Sequence, residues 1–151
     1  MNTETERGVL EANRLILAHF DSYSTALLFA RWPDGSLLSP APLPALAALS
    51  AAPAEVSALH AAQAAMDAGV TRLGLDADEL VYAGDFDAWA SSDEGAIRIH
   101  LLRFTTFEAP AHRVESGGGV FRPISALRGA NPKELQLVRK VFDLIMGGGG
   151  R

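Results

Sequence analysis

Between Ala96 and Phe107 the chain alternates: Ile97, Ile99 and Leu101 are interleaved with Arg98, His100 and Leu102. Successive side chains of a strand point to opposite faces, so this pattern predicts a strand. Phe104 falls out of phase, which predicts a bulge near Leu101-Leu102. Shorter apolar runs precede it. Val70–Leu75 and Glu79–Ala83 read as strands joined by Asp76-Ala77-Asp78, and 85–95 as a polar loop that docks Phe86 and Trp89 on the core. Earlier still, Thr25–Trp32 reads as a strand, Pro33-Asp34-Gly35 as a turn and Ser36–Leu38 as the returning strand. Gly118–Ser125 is a further strand, placed at an edge by Pro123, which has no N–H for a sheet ladder. Strands joined by short turns make an antiparallel sheet.

Helical signals surround these strands. Thr3-x-x-Glu6 has the form of a capping box, and Val9, Ile16, Leu17 and Phe20 then recur on one helical face. Residues 41–68 hold thirteen alanines in twenty-eight positions, which predicts helix in two pieces, 43–51 and 53–68, divided at Pro53. Gly69 reads as the residue that ends it. Asn131-Pro132-Lys133-Glu134 opens a C-terminal helix, with an Asn cap, proline in the first helical position and Glu134 placed to reach back to the cap. Residues 1–151 are therefore expected to form a single α+β domain, with N-terminal, central Ala-rich and C-terminal helices packed on a mainly antiparallel sheet. Residues 146–151 are expected to form a flexible Gly-rich tail.

Composition narrows the function classes. There is no cysteine, so disulfides, thiolate catalysis and cysteine zinc sites are excluded. The polar, acidic N-terminus is no secretory signal, and Pro42, Pro44 and Pro53 interrupt the apolar stretches that a membrane span needs. The expectation is a soluble cytoplasmic protein with no membrane partner. Net charge is −5 and the sequence pI about 5.3, but the charge is unevenly placed. Residues 1–95 carry fourteen acids against four arginines, −10, whereas 96–151 carry four acids against nine Lys/Arg, +5. An acidic belt (Asp76, Asp78, Glu79, Asp85, Asp87, Asp93, Glu94) adjoins a run of arginines. The two neutralise each other if they pack together.

Candidate binding residues lie in the basic third. Arg98, His100, Arg103, Arg113 and Arg122 suit phosphate or carboxylate groups, and Gly117-Gly118 can turn backbone N–H groups toward an anion. With Phe104, Phe107 or Phe121 exposed between the arginines, single-stranded nucleic acid becomes a candidate ligand. The glycine run lacks a phosphate-loop ending and has no helix directly after it. No spacing of His, Asp or Glu defines a metal site, no cofactor motif is present, and no catalytic set is assigned. His100 or His112 would be the acid or base if the protein were an enzyme. A small-residue helix permits close approach of a second copy, which makes Leu59, Ala61, Ala62, Ala65 and Met66 candidate dimer contacts.

The stretch Ala26–Leu38, an apolar strand ending in Asp-Gly with a short apolar return, resembles the first hairpin of the Roadblock/LC7 family. The Ala-rich helix resembles that family's small-residue dimer helix, and the element order over residues 4–106 is similar. The resemblance implies a homodimer that binds a small GTPase or serves as an assembly platform, without catalytic residues of its own. The leading expectation is thus a non-catalytic homodimeric binding or assembly module, with itself and another protein as expected partners. Nucleic-acid or phosphoanion binding is the alternative, and a small enzyme the third reading.

Overall fold

The structure, a computed structural model, describes residues 3–21 and 23–147, Thr3 by its backbone alone. The capping hydroxyl expected of Thr3 and residues 148–151 of the expected tail lie outside the described residues, whereas Met146 and Gly147 are helical, in a π-turn over Asp143–Gly147. In chain order the elements are α1 (Thr3–Ala12), β1 (Asn13–Asp21), β2 (Ala26–Arg31), β3 (Ala48–Ser50), α2 (Ala62–Leu73), β4 (Leu80–Tyr82), β5 (Ala88–Ser92), β6 (Gly95–Phe104), α3 (Ala111–Glu115), β7 (Val120–Pro123) and α4 (Pro132–Phe142). The strands form one sheet in the order β3-β5-β6-β1-β2-β7, with β4 also paired to β6. Only β1 and β6 run parallel among the described pairs; the rest are antiparallel. This is an α+β fold. No described helix is long and apolar enough to cross a membrane.

Both faces of the central strands β1, β2 and β6 are covered. On the first, Ile16, Ala18, Phe29, Ile97, Ile99 and Leu101 pack with Leu137, Val138 and Val141 of α4. On the second, Leu15, Leu17, Ala30, Leu102 and Phe104 pack with Ala65 of α2 and Val114 of α3. Each large side chain removed from water contributes about 1.5–3 kcal/mol. Burial on both faces also explains why Phe104 breaks the alternation. It belongs to the second face, and the β1–β6 register runs unbroken from Asn13↔Arg98 to His19↔Phe104, so there is no bulge at Leu101-Leu102 in this pairing.

The N-terminal helix is shorter than expected. It ends at Ala12, and the apolar run Leu15–Ala18 is strand, not helix. Asn13 and Arg14 make the switch. A helix end leaves carbonyls unpaired. Asn13 Nδ2 donates to Val9 O at 2.8 Å, and Arg14 Nη1 donates to Leu10 O at 3.2 Å and Glu11 O at 3.1 Å. Burial lowers the pKa of the Arg14 guanidinium, and Glu11 partly opposes that shift.

β2 pairs with β1 and β7 rather than with 36–38. The Pro33-Asp34-Gly35 turn forms, with Gly35 at φ 86° and Gly35 N–H donating to Trp32 O. The chain then returns to β1, where Ser39 and Leu15 exchange backbone hydrogen bonds of 2.8 and 3.1 Å. The central helix is also displaced. Residues 43–57 contain β3 but no helix, and α2 runs through Gly69 to Leu73 before Gly74 caps it at φ 67°. The expected strand at 70–75 is therefore the last turn of this helix and its cap. Gly69 is interior because a Cβ there would sit 2.1 Å from Leu15 Cδ1. Within the expected loop 85–95, Phe86 and Trp89 do dock on the core, but 88–92 is strand β5.

Asn131 caps α4 as expected, its Oδ1 accepting from Lys133 N–H at 2.8 Å. Glu134 does not turn back to that cap. Its buried carboxylate accepts from Ser36 Oγ and Leu37 N–H, both at 2.7 Å, and ties α4 to the segment after the turn.

Candidate functional site

The sheet divides the arginines. By strand alternation Arg98 and His100 face the side of Leu102, while Arg103 faces the side of Leu101. Arg122 is paired with Phe29 and shares the face of Arg103, with β1 and β2 lying between their strands. Arg113, on α3, bonds Glu79 at 2.7 Å and lies 3.7 Å from Asp76; the Glu79 hydrogen bond raises its pKa. Here a basic residue does meet the acidic belt. These arginines do not form one face.

His100 sits in a closed polar cluster. Asn13 Nδ2 donates to Val9 O and, at 2.7 Å, to Leu59 O, which leaves Asn13 Oδ1 facing His100 Nε2 at 2.6 Å. His100 must therefore carry its proton on Nε2, and its bare Nδ1 accepts from the Tyr82 hydroxyl at 2.5 Å. Burial, with Arg98 and His60 adding like-charge repulsion, pushes the His100 pKa down to about 3. Burial raises that of Tyr82. Arg98 lies over the Trp89 ring, 5.4 Å from its centroid, and donates to His60 O at 3.2 Å. The neutral, fully bonded imidazole ties β6 to β4 and to the α1–β1 junction. His112 is exposed on α3.

The glycine run packs against an aromatic side chain. A Cβ on Gly117 or Gly119 would lie 3.2 or 2.9 Å from the Trp32 ring, and one on Gly118, at φ 79°, would lie 2.5 Å from Pro33 Cγ. The absence of a Cβ at these three positions lets this backbone cross Trp32-Pro33 between α3 and β7. Of the candidate dimer contacts, Ala65 is buried within its own chain and Met66 packs partly against the same cluster. Ala62 is half-buried, and Leu59 and Ala61 are exposed.

Arg103 lines an open cleft of about 490 Å³ on the first face of the sheet, where β1 and β6 end and β4 begins. Its apolar surface comes from Phe20, Val81 and Phe107, and Thr105 and Thr106 complete one side. Val81 is 51% exposed and Phe107 80% exposed, beside a guanidinium with no hydrogen bond or ion pair among the described residues. Asp21, on the same rim, is committed to its own turn: its oxygens accept from Tyr23 N–H, Ser24 N–H and Ser24 Oγ. The Ser24 hydroxyl is the main cause of its lowered pKa. Buried His19 donates from Nε2 to Thr106 O at 2.8 Å and so holds the 105–107 wall in place. Among the described residues, no group of three or more His, Asp or Glu is placed to hold a metal ion.

Of this cleft, sequence reasoning named Arg103 as a site residue and Phe107 as a candidate exposed aromatic. It missed Phe20, Asp21 and Val81, which approach through β1 and β4. Comparison with known proteins adds no identity: no protein family matches the chain, and no curated protein matches it.

Proposed function

We propose that the protein is a small non-catalytic binding module and that its site is the cleft between the ends of β1, β4 and β6. The observation that carries this reading is the exposure of Val81 and Phe107 beside Arg103, which has no hydrogen-bond or ion-pair partner among the described residues. Large exposed apolar side chains around a concavity mark interaction sites, and the volume lies within the usual range for small ligands.

A neutral probe tests the reading without reference to charge. Nile red fluorescence should rise on addition of the folded wild-type protein, and Val81→Thr/Phe107→Ser should abolish the rise while leaving the thermal midpoint within a few degrees. An equal rise with the double variant contradicts the reading. The exposed Phe107 also supports a second reading, a patch closed by another copy of the chain. Light scattering separates the two, because a dimer that Phe107→Ser converts to monomer assigns the patch to self-association.

A further inference from the structure

The cleft's chemistry narrows its ligand class, an inference that rests on the binding reading above. We infer that the cleft takes an amphipathic monocarboxylate, with the carboxylate on Arg103 and the apolar chain against Phe20, Val81 and Phe107. Arg103 is half-buried and has no hydrogen-bond or ion-pair partner among the described residues. A guanidinium presents a planar fork that matches a carboxylate, and partial removal from water strengthens the pair.

Charge in the cleft selects a singly charged head. Asp21 lines the same cleft, so the lining carries one cation and one anion. Three donors of its own turn already occupy the Asp21 carboxylate, which leaves Arg103 available. A dianionic phosphate would meet one positive charge and the repulsion of Asp21, whereas a monocarboxylate matches the single guanidinium. Phe20 and Val81 form an apolar floor with Arg103 on the same sheet face, and Phe107 stands exposed at the rim. A ligand with an apolar chain next to its charge covers both parts; acetate would leave the apolar part wet.

Isothermal titration calorimetry with octanoate, 1-octanol and octyl phosphate, each below its aggregation threshold, tests the assignment on wild type, Arg103→Gln and Phe107→Ser. Octanoate should bind more tightly than either of the others. Arg103→Gln should weaken octanoate at least tenfold and leave 1-octanol within twofold, and Phe107→Ser should weaken both. Thermal melts of the variants confirm that they fold. Equal binding of octanoate and 1-octanol, indifferent to Arg103→Gln but lost in Phe107→Ser, overturns the carboxylate assignment and leaves the binding cleft standing. Tighter binding of octyl phosphate overturns the monocarboxylate in favour of a phosphoanion. Failure of all three to bind overturns the inference, and the Nile red test then decides separately whether the binding reading stands.

Discussion

At the scale of single residues, Asn13 does the most varied work. Its amide takes two carbonyls, one from the end of α1 and one from Leu59, and its oxygen fixes the tautomer of His100. Asn13→Ala leaves these buried groups unpaired and should cost about 2–4 kcal/mol in urea unfolding. His100 makes stability depend on pH. Its folded pKa, about 3, lies below the ordinary 6.5, so on acidification the unfolded chain takes up the proton first. The histidine's share of stability is therefore complete above about pH 6.5 and is lost as pH falls toward 3, at about 1.4 kcal/mol per pH unit. In paired unfolding curves, His100→Gln should flatten that slope by one proton. Parallel slopes for the two proteins contradict the assignment.

At the scale of elements, β1 shows why part of the fold was illegible. Leu15, Ile16, Leu17 and Ala18 form an unbroken apolar run because the sheet is buried on both sides, and such a run carries no period that separates strand from helix. The strands 26–31, 80–82 and 95–104 and the cap at Asn131 were legible, since turn residues or an alternating pattern bound them. The Ala-rich segment misled for a different reason. Alanine favours helix, but Pro40, Pro42, Pro44 and Pro53 remove donors and push the residues before them toward extended backbone; after them come a 3-10 turn at Ala58–His60 and an α-helix from Ala62. Glu134 was legible as part of a helix start but not as a tie, because Ser36 and Leu37 lie almost a hundred residues away in sequence. Glu134→Ala leaves the buried Leu37 N–H without its acceptor and should cost about 2–4 kcal/mol, readable as a lowered urea midpoint. Gly118→Ala should cost about 1–3 kcal/mol through its left-handed backbone and the contact with Pro33, whether or not phosphate is present. Stabilisation by phosphate that Gly118→Ala removes would instead restore the anion-nest reading.

At the scale of the whole molecule, the cleft at the edge of β1, β4 and β6 sets exposed Val81 and Phe107 beside an arginine with no hydrogen-bond or ion-pair partner among the described residues. Arg103 was visible in the sequence as one arginine among several. Its separation from Arg98 depends on strand phase, and its companions Phe20 and Val81 come from strands whose neighbours only the topology reveals. The charge asymmetry between the two parts of the chain proves partly structural, since Arg113 is spent on Asp76 and Glu79. His19 links the cleft to the core through Thr106, so His19→Leu should speed amide exchange at residues 105–107 while β5 stays protected. The most direct measurement of the binding account is amide chemical-shift mapping of the labelled protein during an octanoate titration. Saturable shifts should concentrate at Asp21, Val81 and residues 103–107, with the Arg103 Nε–H resonance moving in step. Shifts centred instead on α2 or on Gly117–Gly119, with the cleft unmoved, would contradict it.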